Sequence, residues 1–516
     1  MTKRLFPFPK NPVYLVGAGP GDPKLLTLKG RECLAQADVV VFDRLVNHSL
    51  LNHVRKDAEL IYAGKCPDNH ILEQDQINAT LAAHARQGKV VVRLKGGDPF
   101  LFGRGGEEAE YLEEQGIPYE VVPGVTSAIA VPAYAGIPVT HRDITSALSI
   151  ITGNEKPNQK DSKINWQCLV DENKTLVFLM GRRNLPLIVA KLLSMGMPKE
   201  IPAAIISWGT TPEQKTVVGE LDNIVGRADE AEITHPAIIV IGQVVKLREK
   251  LQWFEKKPLF GKRIVVTRPR EQAEELSNRL ADLGGEPVIV PTIAIAPPED
   301  YSLFDQALAN IKTYDWVIFT SVNGVKAFFQ RIGVKGYDIR KLFGLKIAAI
   351  GPVTRRELEN YRLLVDYVPT EYRAEAMIED WKNHDLSGKR FLLPRADIGR
   401  SLLPDFLRSK GAVVHDVAAY RTIKAKTDYS FLYELLHKGK IHLVTFTSSS
   451  TVKHFLDAFS NPNEKALLKE LEVACIGPVT AATARQAGLN VQAVAEEYTI
   501  DGLVNAILAY YYPQEF

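Results

Sequence analysis

Cysteine is scarce in this sequence, and its arrangement excludes several kinds of protein. The 516 residues include four cysteines. Cys33, Cys66, Cys168 and Cys475 form no CxxC pair and have no histidine at metal-ligand spacing. We therefore expect neither a disulfide scaffold nor a structural zinc site, and we predict that no metal is bound. This cysteine usage is typical of a reducing compartment.

Long apolar runs are also missing, and we expect no secretory leader. No stretch reaches the ~18 continuous apolar residues that a membrane-spanning helix needs. The first residues, MTKRLFPFPKNP, contain prolines and no apolar core of a signal peptide. We therefore expect a cytoplasmic protein that has no membrane partner.

An excess of charge of either sign is absent as well. Lysine and arginine number 63 against 61 aspartates and glutamates, which gives a formal net charge of +2. Whole-molecule attraction to nucleic acid is therefore not expected. Local clusters of arginine and lysine can still hold an anionic small molecule, because they bind carboxylates directly.

What the sequence does contain is a regular alternation of apolar strand-like runs and helical patterns. Examples of the runs are VYLVG, DVVVFD, KVVVRL, TLVFLM and AIIVIG. Such alternation predicts α/β architecture with largely parallel sheets. The pattern breaks at REKLQWFEKKPLFGKR, where Pro258 and Gly261 follow a charged helix end. We predict a linker there, at residues 251–260, between two halves of the chain.

After this break the sequence repeats itself. GKRIVV at Gly261 matches GKRFLL at Gly388, 127 residues later, and WVIFTSVNGV matches LVTFTSSSTV at the same offset. KIAAIGPVT likewise matches EVACIGPVT. Two copies of one α/β unit predict two similar lobes with a cleft between them.

Three glycine-containing loops stand out in the first half. GAGPGDP contains Gly17, GGDPFLFGRGG begins at Gly96, and PGVTSAIA contains Gly124 before Thr126. Glycine lets a backbone approach a ligand closely, and a threonine at a helix start caps the helix or binds a ligand. The first loop departs from the dinucleotide-binding fingerprint, because Asp22 stands where the third glycine belongs and would repel a pyrophosphate. Each loop alone is explained equally well as a turn or a cap.

Together these loops closely resemble the tetrapyrrole methylases, specifically the uroporphyrinogen-III C-methyltransferase family, over residues 12–250. The resemblance implies a methylase fold of two α/β domains, S-adenosylmethionine bound between them, and a homodimer formed through this half. It also implies two methylations of uroporphyrinogen III, at C2 and C7, giving precorrin-2 for sirohaem or cobalamin. A sulfonium cofactor carries no phosphate, so acidic residues are tolerable near it. A methylase of a later corrin intermediate and a nicotinamide-binding protein remain alternatives.

The resemblance assigns cofactor contacts residue by residue. They are Pro20, Gly96, Gly97, Asp98, Leu101, Thr126, Ser127, Met180, Gly209 and Ala237. The last three are carried over less directly, because the spacing between motifs varies in the family. As isolated residues, Met180 and Ala237 are explained equally well by core packing.

The same resemblance makes Asp43 a proton acceptor and Lys65 a proton donor. A pyrrole carbon of the substrate attacks the methyl group in line, and a proton must then leave the ring system. A positioned carboxylate can take that proton. Lys65 is suited equally to binding a substrate carboxylate, and Arg44 and Arg104 are further candidates for that task.

The second half resembles uroporphyrinogen-III synthase through its FTS, IGPVT, VTRP and VAAYRT stretches, over nearly all of residues 261–516. The resemblance implies a two-lobed Rossmann- or flavodoxin-like fold with an internal repeat, with lobe one at 261–296 plus 422–516 and lobe two at 300–418. It implies closure of hydroxymethylbilane to uroporphyrinogen III with inversion of ring D, loss of water and no cofactor. A tetrapyrrole-binding module without turnover remains the alternative.

A cleft of hydroxyls and backbone amides suits this reaction, because the bilane is reactive and the protein must chiefly hold its geometry. The candidate hydroxyl residues are Thr320, Ser321, Thr447, Ser448 and Thr480. By resemblance, Tyr420 is the acid for the departing hydroxyl, and Arg268, aligned with Arg395, can meet substrate carboxylates. The alternatives are helix caps for the hydroxyls, a buried aromatic for Tyr420 and a solvated charge for Arg268.

Overall fold

The computed structural model describes residues 12–64, 73–154, 163–371, 373–459 and 462–513. The chain forms two compact units: the first extends to Gly261 and includes Leu283–Glu286, and the second comprises Lys262–Asp282 and the chain from Pro287 onward. Four five-stranded sheets, mostly parallel and flanked by helices, confirm the predicted α/β class. Within the described ranges, no helix is both long enough and apolar enough to cross a bilayer.

The first sheet of the first unit is parallel throughout. Its strands are β1 (Val13–Gly17), β2 (Val39–Phe42), β3 (Glu59–Tyr62), β4 (Val91–Lys95) and β5 (Tyr119–Val122), in the order β3-β2-β4-β1-β5. The accompanying helices are α1 (Leu28–Gln36), α2 (Gln74–Arg86) and α3 (Gly105–Glu114). Residues on both faces of β1 and β2 are buried, which explains their continuous apolar runs. The loops that follow β2, β4, β1 and β5 therefore lie side by side at one sheet edge.

The second sheet of this unit is mixed. Its strands are β6 (Ala147–Thr152), β7 (Lys174–Leu179), β8 (Pro202–Ser207), β9 (Lys215–Glu220) and β10 (Ala237–Ile241), in the order β6-β7-β10-β8-β9. The accompanying helices are α4 (Ser127–Tyr134), α5 (Leu185–Ser194), α6 (Ile224–Glu230) and α7 (Arg248–Leu251). β10 is antiparallel to both β7 and β8. The start of β10 therefore lies at the same edge as the ends of its two neighbours.

Residues 251–260, which the sequence predicts to be a linker, pack against the first unit instead. Phe254 and Leu259 are buried. Glu255 forms an ion pair with Arg248 at 2.6 Å, and both side chains are about seven-eighths buried. The prediction fails because charges that pair with each other look the same in a sequence as charges that face water.

The second unit contains two sheets. Its strands are β11 (Arg263–Val266), β12 (Glu286–Ile289), β13 (Ile293–Ala296), β14 (Trp316–Phe319), β15 (Lys346–Ala349), β16 (Arg390–Ala396), β17 (Val413–Lys424), β18 (Leu443–Phe446), β19 (Glu472–Cys475) and β20 (Asn490–Val494). One sheet, which defines lobe one, has the order β12-β11-β18-β19-β20. The other sheet, which defines lobe two, has the order β13-β17-β16-β14-β15.

The helices of the second unit connect these strands. They are α8 (Arg270–Asp282), α9 (Ser302–Ala309), α10 (Val322–Val334), α11 (Pro352–Asn360), α12 (Ala374–Trp381), α13 (Leu402–Ser409), α14 (Ser430–His437), α15 (Ser449–Leu456), α16 (Pro462–Glu470), α17 (Pro478–Gln486) and α18 (Ile500–Tyr511). Short 3-10 helices lie at Pro23–Leu25, His48–His53, Trp166–Leu169, Arg182–Asn184, Gln243–Leu247, Ile311–Thr313 and Ile339–Leu342.

The two sequence copies exchange halves between the lobes. Lobe one combines β12 and β11 of the first copy with β18 and β19 of the second. Lobe two combines β17 and β16 of the second copy with β14 and β15 of the first. The predicted lobe limits need a correction. The sequence assigns residues 293–296 and 422–424 to lobe one, whereas the structure pairs them with each other in lobe two. β17 runs for 12 residues without a break that would mark this crossing.

Candidate active sites

Three loops of the first unit meet at a junction of glycine backbones. The loops follow β1, β4 and β5, and their contact residues are Gly17, Gly97 and Gly124. A Cβ atom on Gly17 would lie 2.5 Å from Gly124 Cα, and one on Gly124 would lie 2.2 Å from the Gly97 carbonyl oxygen. These distances are far inside van der Waals contact, so the packing of the loops itself requires glycine.

Asp98 ties two of these loops together. Its Oδ2 accepts a hydrogen bond from Gly124 N at 3.0 Å, and its Oδ1 accepts from Phe100 N at 2.8 Å and Leu101 N at 3.1 Å. Hydrogen bonds to an ionised acceptor are the stronger kind. Asp98 thus fixes the loops of the junction relative to each other. Direct contact of Asp98 with a cofactor stays a prediction.

Asp22 explains why the first loop departs from the dinucleotide fingerprint. Its Oδ1 accepts from Lys24 N at 2.8 Å, its Oδ2 accepts from the Tyr134 hydroxyl at 2.7 Å, and its own N–H donates to Thr210 Oγ1 at 3.1 Å. Tyr134 ends α4 and Thr210 follows β8. Burial and the neighbouring Asp22 carboxylate raise the pKa of Tyr134, which keeps its hydroxyl a donor. The acidic residue therefore joins the loop to the second sheet.

The cofactor residues predicted in the second sheet lie at one edge of that sheet, next to the first loop. Met180 and Gly209 follow β7 and β8, and Ala237 begins β10 between those strands. A Cβ atom on Gly21 would lie 2.8 Å from Thr210 Oγ1, so the first loop touches the loop that contains Gly209. The three less direct assignments therefore share one edge, although Ala237 is only 6 % exposed.

The remaining cofactor candidates line the same loops. Gly97 exchanges backbone hydrogen bonds with the residue before Pro20, at 2.8 and 3.2 Å, and Gly96 borders the loop after β2. Thr126 caps α4 by accepting from the N–H two residues on, at 3.2 Å, and Ser127 is the first residue of that helix. Leu101 packs against the apolar cluster of the second sheet. The cap predicted as the alternative for Thr126 is thus present.

Left-handed backbone is concentrated at this edge. Among the described non-glycine residues, a positive φ occurs at Phe102, Arg104, Met180, Trp208, Thr210, Glu232 and Arg362. The first five of these lie in the loops that follow β4, β7 and β8. Such a residue costs about 1–3 kcal/mol and persists only where its surroundings hold it, which is common at ligand sites. The strain therefore makes this edge a candidate functional site.

Asp43 lies beside the junction at the end of β2, where a buried charge network reaches the surface. Asp43 Oδ1 is 2.5 Å from Arg93 Nη2. Arg93 Nε and Lys95 Nζ are 3.0 and 2.8 Å from Glu108 Oε1. The side chains of Arg93, Lys95 and Glu108 are at most 3 % exposed, whereas that of Asp43 is 32 % exposed. The network therefore holds one carboxylate at the mouth of the site.

This network is not among the predicted site residues, although the sequence of β4 contains a signal for it. Arg93 and Lys95 alternate with apolar residues in β4, a central strand that is otherwise Val and Leu. Alternate strand residues share one face, and buried charges need partners, so the pair predicts an acidic residue packed over that face. Glu108 on α3 is that residue. Burial and the adjacent Arg93 lower the pKa of Lys95.

The basic residues predicted to act on the substrate have different positions. Lys65 lies outside the described residues. Arg44 follows Asp43 directly and is exposed. Arg104 precedes α3 and pairs with Glu107, its Nε 2.9 Å from Glu107 Oε1, with a side chain that is 55 % exposed. Arg44 and Arg104 therefore remain accessible to an anionic ligand, and their roles stay predictions.

In the second unit, the predicted hydroxyl residues follow β14 and β18. Ser321 caps α10 and Ser448 caps α15, each accepting at 3.2 Å from the backbone N–H three residues on. Thr320 and Thr447 precede them and are partly exposed. The capping alternative is therefore realised, and it leaves both serines accessible.

Thr480 has a different environment from the other predicted hydroxyl residues. It lies in the first turn of α17 and is only 6 % exposed. Its counterpart in the other copy, Thr354 in α11, is 5 % exposed. Because both copies bury this threonine, it suits helix packing better than contact with a substrate, and substrate contact by Thr480 stays a prediction.

Tyr420 lies in β17 beside a bulge. The pairing of β16 with β17 shifts register between Arg395 and Ala396, and such bulges re-aim a neighbouring side chain. The Tyr420 hydroxyl lies 3.0 Å from Ser321 Oγ and also hydrogen-bonds Asn323. Burial raises the pKa of Tyr420, and these two hydrogen bonds oppose that rise.

Arg268 and its counterpart Arg395 differ sharply. Arg395 is held by Asp416 through two hydrogen bonds, one of them Nε to Oδ1 at 2.6 Å. Arg268 Nη2 has a long contact of 3.3 Å to Gln272 Oε1. Its Nε and Nη1 are buried and have no hydrogen-bond partner within the described part of the chain. The predicted surface-charge alternative for Arg268 is therefore wrong, because the structure buries two of its donors and leaves them unsatisfied within the described residues.

Comparisons with known proteins match both halves of the chain. The model of tetrapyrrole (corrin/porphyrin) methylases matches residues 12–225, and that of uroporphyrinogen-III synthase HemD matches residues 274–505. Porphyrin biosynthesis protein HemD of Ruminiclostridium josui is 41 % identical over 497 residues, covering 96 % of this chain and 97 % of that protein.

Shorter relatives and solved structures match the first half. Uroporphyrinogen-III C-methyltransferase of Bacillus subtilis (strain 168) is 51 % identical over 243 residues, covering 47 % of this chain and 94 % of that protein. A crystal structure of uroporphyrin-III C-methyl transferase from Thermus thermophilus, complexed with S-adenyl homocysteine, is 37 % identical and covers 46 % of this chain and 100 % of its own, with a TM-score of 0.40.

Proposed function

Because the chain belongs to the family in which a tetrapyrrole methylase is joined to a uroporphyrinogen-III synthase, we propose that it catalyses two consecutive steps of tetrapyrrole biosynthesis. The second unit closes hydroxymethylbilane to uroporphyrinogen III with inversion of ring D, without a cofactor. The first unit methylates that product at C2 and C7, giving precorrin-2 for sirohaem or cobalamin. The observation that carries the proposal is the presence in one chain of two sites suited to consecutive reactions.

S-adenosylmethionine fits the junction of the first unit. The glycine backbones leave room for close approach of a ligand, and large apolar side chains around them are exposed, among them Leu45, Phe100 and Met180. Exposed apolar groups beside a few fixed polar groups are typical of a small-molecule site. The carboxylates of Asp22 and Asp98 disfavour a phosphate and are compatible with a cation. Bound there, the cofactor supplies an electrophilic methyl group.

Asp43 is the residue that we propose to accept the proton. Methyl transfer to a pyrrole carbon leaves a proton that the ring system must lose, and a carboxylate near that carbon can take it. Arg93 fixes one oxygen of Asp43, which leaves the other oxygen for the substrate. Arg44 and Arg104 bind substrate carboxylates, and the loops align the reacting atoms.

The second unit acts through geometry and one acid. Tyr420 donates its proton to the departing hydroxyl of the bilane, and Arg268, whose guanidinium is incompletely satisfied within the chain, binds a substrate carboxylate. Ser321 and Ser448, with the backbone amides at the starts of their helices, hold the chain in the inverting arrangement. These roles draw on both lobes, because Arg268 and Ser448 belong to lobe one and Ser321 and Tyr420 belong to lobe two.

Two separate assays test the two activities. Purified chain receives authentic uroporphyrinogen III with S-adenosylmethionine carrying a labelled methyl group, and mass spectrometry counts the methyl groups transferred. Separately, the chain receives hydroxymethylbilane alone, and chromatography resolves isomers I and III. We expect two methyl groups in the first assay and isomer III in the second. No transfer in the first assay overturns the methylase proposal, and isomer I alone overturns the synthase proposal.

Replacing Asp98 by alanine should weaken S-adenosylmethionine binding. The substitution removes three hydrogen bonds to backbone N–H groups and frees the second loop from the third. We expect the dissociation constant, measured by titration calorimetry, to rise about 10- to 100-fold. The rate of bilane closure by the same preparation is the control and stays at the wild-type value. An unchanged dissociation constant would remove Asp98 from the cofactor site.

Replacing Arg268 by glutamine should raise the KM for hydroxymethylbilane about 10- to 100-fold, because a charge-assisted hydrogen bond to a substrate carboxylate is lost. Arg395→Gln is the matched control, since the Arg395 guanidinium is already held by Asp416. We expect its KM to stay near the wild-type value. Equal changes in both variants, or none in Arg268→Gln, would contradict a binding role for Arg268.

A further inference from the structure

A row of hydrogen-bonded side chains crosses from lobe one to lobe two beside Tyr420. Gln272 on α8 donates through Nε2 to Asn323 Oδ1 on α10, at 2.7 Å. At one end of the row, Arg268 Nη2 lies 3.3 Å from Gln272 Oε1. At the other end, Ser321 Oγ, two residues before Asn323, lies 3.0 Å from the Tyr420 hydroxyl, and a hydrogen bond from Asn323 to that hydroxyl lowers the pKa of Tyr420. The row thus links the anion-binding candidate to the acid candidate.

The directions of these hydrogen bonds are mutually consistent. The hydrogen bond from Asn323 lowers the pKa of Tyr420, as a donor to the phenol oxygen does, so the Asn323 amide nitrogen is the group that donates. Gln272 Oε1 faces Arg268, whose guanidinium can only donate. Each hydrogen bond of the row therefore donates towards Tyr420. The Tyr420 hydroxyl can then donate its own hydrogen to another group. A cation at the start of such a row strengthens the polarisation along it.

The other half of the repeat lacks this row. The positions that match Gln272 and Asn323 in the second copy are Gly399 and Ser450. Neither can bridge the lobes as the two amides do. Arg395 in that copy is held by Asp416 instead. Because the second copy folds without these amides, the repeat unit itself does not require them.

We propose that Asn323 and Gln272 are positioning residues for ring closure, which align the Tyr420 hydroxyl with the leaving group and with the carboxylate bound by Arg268. The inference rests on the proposed synthase function. The bond from the bilane carbon to its hydroxyl oxygen breaks with the electron pair on oxygen, and the Tyr420 proton completes a molecule of water. The proton that a pyrrole carbon loses at final closure restores the phenol, so atoms and charges balance.

The contacts around Asn323 and Gln272 suggest no separate role for these side chains in helix capping. Both side chains are half-buried, and they form one direct side-chain bridge between α8 and α10. Ser321, the cap of α10, already satisfies the helix start through its hydroxyl. A hydrogen bond that crosses two lobes depends on their separation. The row therefore ties the position of the Asn323 side chain, beside Tyr420, to lobe one.

The test is a double-mutant cycle on bilane closure by the full chain. We compare Asn323→Ser, which installs the residue of the other copy, with Tyr420→Phe and with the double variant. We expect Asn323→Ser to lower kcat about 10-fold with little change in KM, and to have no effect in the Tyr420→Phe background, because residues that act as a unit are non-additive. A residue that only supports the fold would lower kcat equally in both backgrounds, and that result overturns the proposal.

Gln272→Met supplies a second variant from the opposite lobe, and Gln330→Met is the matched control, since Gln330 lies exposed on α10. We expect Gln272→Met to lower kcat and Gln330→Met to leave it at the wild-type value. Methyl transfer to separately supplied uroporphyrinogen III verifies that each chain has folded. If wild-type chain gives no isomer III, the synthase function itself fails. If wild-type chain is active and both amide variants match it, only the present inference fails.

Discussion

Asp43→Asn lowers the rate of methyl transfer about 10²- to 10⁴-fold, the usual contribution of a positioned proton acceptor. Asparagine keeps the shape of the side chain and an oxygen for Arg93, but it has lost the basicity that accepts a proton. The cofactor site that we propose is built from the loops after β1, β4 and β5 and from the edge of the second sheet, so we expect the affinity for S-adenosylmethionine to stay unchanged. The defect therefore falls on kcat.

Single-turnover experiments measure this effect directly. Chain saturated with S-adenosylmethionine is mixed with uroporphyrinogen III, and the first methylation is followed by rapid quench. Bilane closure by the same variant is the internal control and keeps its wild-type rate. A first-methylation rate within threefold of wild type, at saturating substrate, would show that Asp43 does not accept the proton.

Glu108→Gln destabilises the first unit by about 3–5 kcal/mol, because it breaks a buried ion network and leaves a charge uncompensated. Glu108 is fully buried and serves both Arg93 and Lys95, at 3.0 and 2.8 Å. Its Oε2 is buried without a hydrogen-bond partner in the described part of the chain. No further hydrogen bond on Glu108 can therefore replace the contacts that are lost. Arg93 keeps Asp43, while Lys95 loses its partner.

Hydrogen exchange read by mass spectrometry localises the destabilisation. We expect amides of β4 and α3 to lose protection in Glu108→Gln and amides of the second unit to keep theirs. Glu110→Gln is the control, since Glu110 lies exposed on the same helix. Lys95→Met combined with Glu108→Leu should recover much of the protection, because an apolar pair replaces a buried ion pair. Full protection in Glu108→Gln would contradict the network's structural role.

The α/β class followed from the alternation of apolar runs and helical patterns, but strand direction did not. A strand buried on both faces is a continuous apolar run whether its neighbours are parallel or antiparallel. β10 is therefore indistinguishable in sequence from a parallel strand, and the second sheet came out mixed. Residues 293–296 were assigned to the wrong lobe for the same reason, because the sequence of one strand does not show which strand it pairs with.

The first site was predictable where a backbone constraint leaves a mark on the sequence. Gly17, Gly97 and Gly124 are required by close backbone approach, and such glycines stand out in any sequence. The partners of Arg93 and Gln272 were not predictable, because each contact joins elements that only the fold brings together. The signals that did exist were indirect: charges in a central strand, and a position where the two copies of a repeat differ.

Above all, we propose that one chain makes uroporphyrinogen III and then methylates it. Purified chain is supplied with hydroxymethylbilane, with and without S-adenosylmethionine, and the products are identified by chromatography and mass spectrometry. We predict isomer III alone without the cofactor and a doubly methylated isomer III with it. Isomer I without the cofactor, or unmethylated isomer III in its presence, would contradict the claim and identify which half of the chain is at fault.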